Sequence, residues 1–244
     1  MSFSISILKK ISFVIKMSAI AVITIADSFI LIFNMLLRPG RYKFYKHYRN
    51  WAKRLLTVSG IKLEIHGQKN LSDDISYIYI SNHSSLFDIP VIFYGLNDNI
   101  RIMYKKELEK IPLFGWGLKV STFICVDRED PKKAMSSLNE ALNLIRENVS
   151  VILFPEGTRS KDGKVGEFKR GAFFLAIHSG KPIVPVSIIG SSKIMPVGTL
   201  NLNSGRVKVI IHEPITIPVE LSKIEERKLL EQVRNTIISD IANN

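Results

Sequence analysis

The segment SNHSSLFDIP, residues 81–90, places an imidazole and a carboxylate close together in the sequence, at His83 and Asp88. A histidine can take a proton from a hydroxyl group at neutral pH, and a neighbouring carboxylate can fix its tautomer. On a continuous helix the two side chains would diverge by about 140°, so their contact requires a helix that begins between them. Ser85 as N-cap and Asp88 as the third helical residue predict such a start, as a capping box. The alternative is a loop histidine beside an ordinary helix cap.

A second segment whose residues could take part in chemistry, FPEGTRS at residues 154–160, follows an apolar run. Its glycine gives a flexible backbone, and the Arg159 guanidinium suits bidentate contact with a phosphate group. Further cations follow two other apolar runs, Lys105 after IRIMY and Arg128 after TFICVD. If these runs are strands of one sheet, the cations converge at one edge and form an anion site. The alternative is a tight turn with a surface arginine.

Strand-like and helix-like runs alternate from about residue 58 onward. The predicted strands are residues 75–81, 100–104, 122–127, 151–155, 183–189 and 206–213. Several are apolar throughout, as is typical of strands covered on both faces. Predicted helices lie at residues 131–147 and 169–179, and a last helix opens on Ser222 with Glu225. The pattern predicts one α/β domain over residues 58–244, with a mixed or mostly parallel sheet flanked by helices.

The chain of 244 residues has a net charge of +12, which favours an anionic partner: nucleic acid, a membrane surface or a phosphorylated substrate. No nucleic-acid-binding motif is present, so we expect no nucleic-acid partner. Cys125 is the single cysteine, and its place inside a predicted strand argues against a nucleophilic role. The five histidines are scattered without metal-ligand spacing, so we expect no metal.

Residues 17–37 are nearly all apolar and would form a helix about 31 Å long, enough to span a bilayer. Asp27 interrupts this run near its midpoint. Basic residues flank both ends of the run, whereas a single span has more basic residues on one side. We therefore expect the segment to dip into one leaflet, or to lie along it, at the cytoplasmic face of the cell membrane.

Residues 38–56 place aromatic side chains on one side of a predicted helix and basic side chains on much of the rest. Such a helix lies at a lipid interface or packs on its own domain, and the neighbouring membrane-length segment favours the interface. The sequence thus predicts a membrane-associated helical segment over residues 1–57, with a phospholipid surface as its partner.

Together, these motifs resemble the ordered motifs of the glycerophospholipid acyltransferases, and most closely those of bacterial 1-acylglycerol-3-phosphate acyltransferases. The matching pieces are His83-x4-Asp88, Lys105-x-Glu107-Leu108 through Pro112 and Gly115, Asp127-Arg128, Phe154 to Ser160 and Val184-Pro185-Val186. The resemblance covers about residues 50–215. It implies an enzyme that moves an acyl chain from acyl-CoA or acyl carrier protein to the free sn-2 hydroxyl of 1-acylglycerol-3-phosphate, a lysophospholipid acceptor, making phosphatidic acid without a cofactor.

The same resemblance implies that His83 is the general base and that Asp88 orients it. It assigns the binding of the acceptor's glycerol phosphate to Lys105, Arg128, Glu156, Gly157, Thr158 and Arg159. Alternative acceptors are a lyso-ornithine lipid, lysophosphatidylglycerol and glycerol-3-phosphate. A membrane-binding module without catalysis is a further alternative, against which the intact His83–Asp88 pair speaks.

Overall fold

A seven-stranded mixed sheet forms the centre of the computed structural model, which describes residues 2–37, 44–72, 74–127, 131–146, 149–218 and 220–243. The strands are β1 Ile61–His66, β2 Ile78–Ser81, β3 Ile100–Lys105, β4 Ile124–Val126, β5 Ser150–Leu153, β6 Ile183–Ile189 and β7 Gly205–Ile211. The helices are α1 Ser2–Leu37, α2 Phe44–Ser59, α3 Asp88–Gly95, α4 Phe114–Val120, α5 Pro131–Arg146, α6 Arg170–His178, α7 Ser191–Ile194 and α8 Lys223–Ala242. Short 3₁₀ helices lie at Gln68–Asn70 and Lys106–Lys110.

The strands are arranged in the order β1-β7-β6-β2-β5-β3-β4, and all pairings are parallel except that of β6 with β7. Alternate residues of β2 enter two apolar clusters, Tyr79 in one and Ile78 with Ile80 in the other. The sheet is therefore covered on both faces, which explains the uninterrupted apolar runs. The predicted mixed α/β fold is confirmed, and the carboxyl ends of β2, β5, β3 and β4 share one edge.

The first strand, β1, is missing from the predicted set because its sequence IKLEIH alternates apolar and charged residues. It is an edge strand, paired in parallel with β7 alone among the described strands. Ile61 is buried and Leu63 packs against the same cluster, whereas Lys62 and Glu64 are exposed. Charged residues on an edge strand protect it from pairing with other chains.

The first helix, α1, is continuous over 36 residues, and its segment Lys10–Leu37 alone among the described residues is long and apolar enough to cross a membrane. Phe13, Met17 and Ile20 pack on the core of the sheet. Much of the remaining surface is apolar and exposed. Among the side chains of α1 that the structure describes, the exposed large apolar ones are Leu8, Ile11, Val14, Ile15, Val22, Ile25, Phe29, Ile30, Phe33, Leu36 and Leu37. An exposed apolar surface of this kind marks an interaction site.

The carboxylate that interrupts the apolar run faces the protein. Asp27 is buried between α1 and α2, where Arg54 donates hydrogen bonds to it. His47 Nε2 lies 3.5 Å from the same carboxylate, and burial lowers the pKa of His47 although Asp27 opposes that shift. Because the buried imidazole is neutral at neutral pH, Arg54 is the counter-ion of Asp27. Trp51 Nε1 also donates to Thr24 Oγ1 at 3.2 Å, so polar contacts fasten α1 to α2.

The prediction that α2 turns its aromatic side toward lipid is wrong. Tyr48 is only 7% exposed and stacks on Phe93 and Phe123, with ring centroids 5.5 and 4.4 Å away. Leu55 and Leu56 of the same helix are buried as well. The aromatic spacing identified the apolar face correctly, but α3 and Phe123, which precedes β4, cover that face instead of a lipid surface.

Candidate active site

His83 lies on the loop after β2, and Asp88 is the first residue of α3. His83 Nδ1 and Asp88 Oδ2 are 2.7 Å apart. Asp88 is fully buried, whereas the His83 side chain is 18% exposed. The structure therefore brings the two residues together at the carboxyl edge of the sheet, with the imidazole still reachable from solvent.

Three donors converge on a single oxygen of Asp88. Besides the imidazole, the N–H groups of Ser84 and Ser85 donate to Oδ2 at 2.7 and 2.9 Å. Because a carboxylate only accepts hydrogen bonds, an ionised Asp88 pairs with the His83 tautomer that carries its proton on Nδ1. The predicted capping box forms in half, since Asp88 accepts the N–H of Ser85 but the N-cap is Phe87.

The loop after β5 holds His83 by its main chain and by its ring. Glu156 Oε1 accepts the N–H of His83 at 2.7 Å, and the N–H of Ser160 donates to the His83 carbonyl at 2.8 Å. The Phe154 ring stacks on the imidazole, with centroids 4.3 Å apart and planes inclined by 25°. The FPEGTRS segment thus positions the imidazole, a role that its composition alone did not indicate.

Glu156 is expected from the resemblance to contact the acceptor, yet its carboxylate faces the protein main chain. It is 7% exposed, and its second oxygen, Oε2, accepts the N–H of Gly166 at 2.8 Å. Burial raises the pKa of Glu156, and the N–H groups of Gly166 and His83 oppose that shift. Both oxygens therefore bind main-chain donors from two different loops.

Gly157 makes a turn that requires glycine, because its φ is +73°. A Cβ added there would lie 3.1 Å from Lys169 Nζ, so this ammonium group comes close to the turn. The N–H of Lys169 also donates to the Pro155 carbonyl at 2.8 Å. No motif singles out Lys169, which precedes α6 and reaches the site only through the path of the intervening loop.

Of the other predicted binding residues, Thr158, Arg159 and Lys105 lie at the same edge of the sheet. Thr158 is exposed and Arg159 is half-buried on the loop after β5. Lys105 is exposed at the end of β3, the strand beside β5. Arg128 lies outside the described residues. An open polar cleft of about 490 Å³ adjoins the loop and is lined by Glu156, Thr158, Ser160, Lys161, Asp162, Lys164, Val165, Gly166 and Glu167.

Cys125 is half-buried in β4, and burial together with a hydrogen bond to Glu109 raises the pKa of its thiol. The thiolate that a nucleophilic role requires is therefore disfavoured. Among the residues that the structure describes, no three His, Cys, Asp or Glu side chains lie close enough to hold a metal ion. That the reaction needs no metal stays a prediction.

Residues 62–189 match the family model described as Acyltransferase. A chloroplastic 1-acyl-sn-glycerol-3-phosphate acyltransferase of Arabidopsis thaliana is 36% identical over 198 residues, which are 80% of this chain and 54% of that protein. The 1-acyl-sn-glycerol-3-phosphate acyltransferase of Borreliella burgdorferi is 29% identical over 194 residues, which are 79% and 77% of the two chains. This chain thus spans about half the length of the plant relatives that it matches.

Similarity to a solved structure extends beyond the sheet. The crystal structure of the 1-acyl-sn-glycerophosphate acyltransferase PlsC from Thermotoga maritima is 30% identical in sequence, and the two folds superimpose with a TM-score of 0.81. The match covers 100% of this chain and 99% of the other. The N-terminal helices are therefore part of the shared architecture.

Proposed function

The chain belongs to the acyltransferase family, and on that premise we propose that it is an O-acyltransferase that acylates the sn-2 hydroxyl of 1-acylglycerol-3-phosphate to phosphatidic acid. The observation that carries the proposal is the 2.7 Å contact between His83 and buried Asp88, beside the FPEGTRS loop. The names of the plant and bacterial relatives support the choice of acceptor.

The proposed reaction uses His83 first as a base and then as an acid. Its Nε2 takes the proton of the acceptor hydroxyl as the oxygen attacks the thioester carbonyl carbon. A tetrahedral intermediate forms, its C–S bond breaks, and the leaving thiolate recovers the proton from the imidazolium. Asp88 stabilises the imidazolium between these steps. General acid–base catalysis of this kind contributes about 10²–10⁴-fold to the rate.

The acceptor's phosphate is the proposed ligand of the cations at the sheet edge. Arg159 offers a planar fork that matches phosphate oxygens, and Lys105 adds charge from the neighbouring strand. Arg128 is the third cation that the sequence predicts. The ammonium of Lys169, close to Gly157, adds positive charge to the same loop.

The acyl donor in this proposal is a thioester of coenzyme A or of acyl carrier protein, and the enzyme works at a membrane surface. Both acceptor and product are lipids, and extracting their chains from a bilayer would cost about 0.8 kcal/mol for each CH₂ group. The exposed apolar surface of α1 supports a docked domain that leaves these chains in the leaflet. Basic residues on both sides of the apolar segment support the cytoplasmic face.

An acceptor panel tests the proposed substrate. Purified protein is assayed with palmitoyl thioesters of coenzyme A and of acyl carrier protein, against 1-acylglycerol-3-phosphate, lysophosphatidylglycerol, a lyso-ornithine lipid and glycerol-3-phosphate. We expect the highest kcat/KM with 1-acylglycerol-3-phosphate. A protein that shows no preference for the phosphomonoester headgroup would overturn this assignment.

A histidine substitution tests the proposed base. His83→Ala lowers kcat by about 10²-fold or more, and leaves vesicle binding and thermal unfolding nearly unchanged. His66→Ala is the matched control, because His66 is an exposed histidine at the carboxyl end of β1, and it keeps the wild-type kcat. Turnover by His83→Ala close to that of the wild type would refute the assignment of the base.

A further inference from the structure

Arg234 on α8 binds the loop that also touches the base. Its Nε donates to the Gly166 carbonyl at 2.8 Å, and its Nη2 donates to the Val165 carbonyl at 3.2 Å. A guanidinium group presents its donors in a rigid plane, so the two bonds fix the orientation of neighbouring carbonyls. The segment at Val165 and Gly166 is therefore held from the side of α8.

The N–H of Gly166 continues this series of hydrogen bonds toward the site. It donates to Glu156 Oε2 at 2.8 Å, while Glu156 Oε1 accepts the N–H of His83 at 2.7 Å. Space around the carboxylate is tight, since a Cβ added at Gly166 would lie 3.0 Å from Oε2. Because Glu156 is buried, these bonds lie in a low-dielectric environment where each is stronger than in water. A continuous chain of contacts thus joins Arg234 to His83.

The base depends on such contacts because its own backbone is irregular. His83 lies between β2 and α3 and takes no part in a helix or strand ladder. Among the described residues, its main chain is held by Glu156 at the N–H and by Ser160 at the carbonyl. A displacement of about 1 Å at a catalytic group can lower a rate by about 10²-fold. The position of Glu156 therefore bears directly on the rate of proton transfer.

The helix that carries the guanidinium is itself fixed to the sheet. Val233 and Ile237 are fully buried in the cluster under α8. Near the end of the helix, Asp240 accepts a hydrogen bond from Ser187 Oγ at 2.6 Å and lies 2.7 Å from His212 Nε2. The helix provides a firm support from which a side chain can orient a loop.

We propose that Arg234 is a positioning residue for His83 and acts through Gly166 and Glu156. The inference rests on the proposed function, in which His83 is the base. Arg234 lies beyond residues 62–189, the part of the chain that matches the acyltransferase family model. The C-terminal helix is thereby coupled to catalysis without contact with either substrate.

Steady-state kinetics give the first test. Arg234→Ala lowers kcat by about ten- to a hundredfold, while the KM for the thioester and for the acceptor each stay within about twofold. Arg234→Lys keeps the charge without the planar fork and recovers part of the lost kcat. Arg227→Ala removes an exposed arginine of the same helix, which pairs with Glu231, and leaves kcat unchanged.

Amide hydrogen exchange gives a second test that does not depend on turnover. In Arg234→Ala the N–H groups of His83 and Gly166 exchange faster, whereas those of β2 and of the buried turn at Val233 keep wild-type protection. General destabilisation would instead speed exchange in all of these segments. If Arg234→Ala does not fold, Arg234→Lys serves for both measurements. A wild-type protein without acyl transfer would refute the proposed function, and the exchange result would still decide the positioning role.

A double-mutant cycle gives the third test. Arg234→Ala combined with Glu156→Gln is no slower than the slower single variant, because both substitutions break the same chain of contacts. Losses that add in the double variant, a wild-type kcat in Arg234→Ala, or unchanged exchange at His83 would each overturn the proposal.

Discussion

At the scale of single residues, one oxygen of Asp88 accepts the N–H groups before α3 and also contacts the imidazole of His83. The N–H groups of Ser84 and Ser85 would alone explain a carboxylate at the start of α3. The imidazole contact at 2.7 Å uses the geometry that these N–H groups create. Spacing predicted the contact, since only a helix start between the two residues allows it. The hydrogen bonds of the His83 main chain with Glu156 and Ser160 could not be predicted, because they depend on β2 and β5 being neighbours in the sheet.

The role of Arg159 can be measured through the acceptor. Charge-assisted hydrogen bonds contribute about 1.5–3 kcal/mol, so Arg159→Ala raises the KM for 1-acylglycerol-3-phosphate by about tenfold or more. The KM for the thioester stays near the wild-type value, because the donor has no contact with this guanidinium in the proposed complex. Arg227→Ala, which removes an exposed arginine of α8 that pairs with Glu231, is the control and changes neither value. An unchanged acceptor KM in Arg159→Ala would remove this residue from the phosphate site.

At the scale of elements, the strands that are buried on both faces are the ones that the sequence pattern predicts. The strands β2, β5 and β6 are apolar because both of their faces are covered, so their sequence pattern predicts them directly. The edge strand β1 alternates charged and apolar residues, so it lacks that apolar pattern and was not predicted. The aromatic side chains of α2 recur at the same spacing whether lipid or protein covers the aromatic face of the helix. Only the contacts of Tyr48 with Phe93 and Phe123, which are distant in the sequence, decide between the two.

The capping box of α8, predicted from the sequence and present in the structure, makes helix stability depend on pH. The Ser222 hydroxyl donates to Glu225 Oε2 at 2.6 Å and the Ser222 N–H donates at 2.8 Å, which lowers the pKa of Glu225 below its ordinary 4.5. A lowered folded-state pKa adds stability above the unfolded-state value, and this stability is lost as the pH falls through the folded-state pKa. Ser222→Ala therefore lowers amide protection in the first turn of α8 at neutral pH. In acid, the difference in amide protection between Ser222→Ala and the wild type becomes smaller.

Protection factors at pH 7 and at about pH 3 provide the measurement for this capping box. Thr236→Ala is the matched control, because its hydroxyl bonds the Gln232 carbonyl later in the same helix. It leaves the first turn at wild-type protection. The role of Glu225 would be contradicted if the difference in protection factor between Ser222→Ala and the wild type were the same at both pH values.

At the scale of the whole molecule, the chain combines exposed apolar surface with a positive net charge. The exposed apolar surface of α1 includes Phe29, and the segment from Lys106 to Val120 exposes Ile111 and Trp116. These two segments approach closely, since a Cβ added at Gly117 would lie 3.1 Å from the Ser28 hydroxyl oxygen of α1. The net charge of +12 complements an anionic phospholipid surface. We therefore predict that the docking surface for the membrane includes a segment outside residues 1–57, which hydropathy alone did not indicate.

Vesicle binding tests the extent of this surface. Phe29 and Trp116 are 59% and 54% exposed, and burying an aromatic side chain is worth about 1.5–3 kcal/mol, so Phe29→Asp and Trp116→Asp each lower the partition coefficient by about tenfold or more. Ile224→Asp is the matched control, because Ile224 is 69% exposed in the first turn of α8, and it leaves partitioning unchanged. Cosedimentation with anionic phospholipid vesicles measures all three variants. An equal loss of partitioning in Ile224→Asp would show that attraction between charges, and not insertion of these side chains, holds the protein at the membrane. Wild-type binding by Trp116→Asp would confine the docking surface to α1.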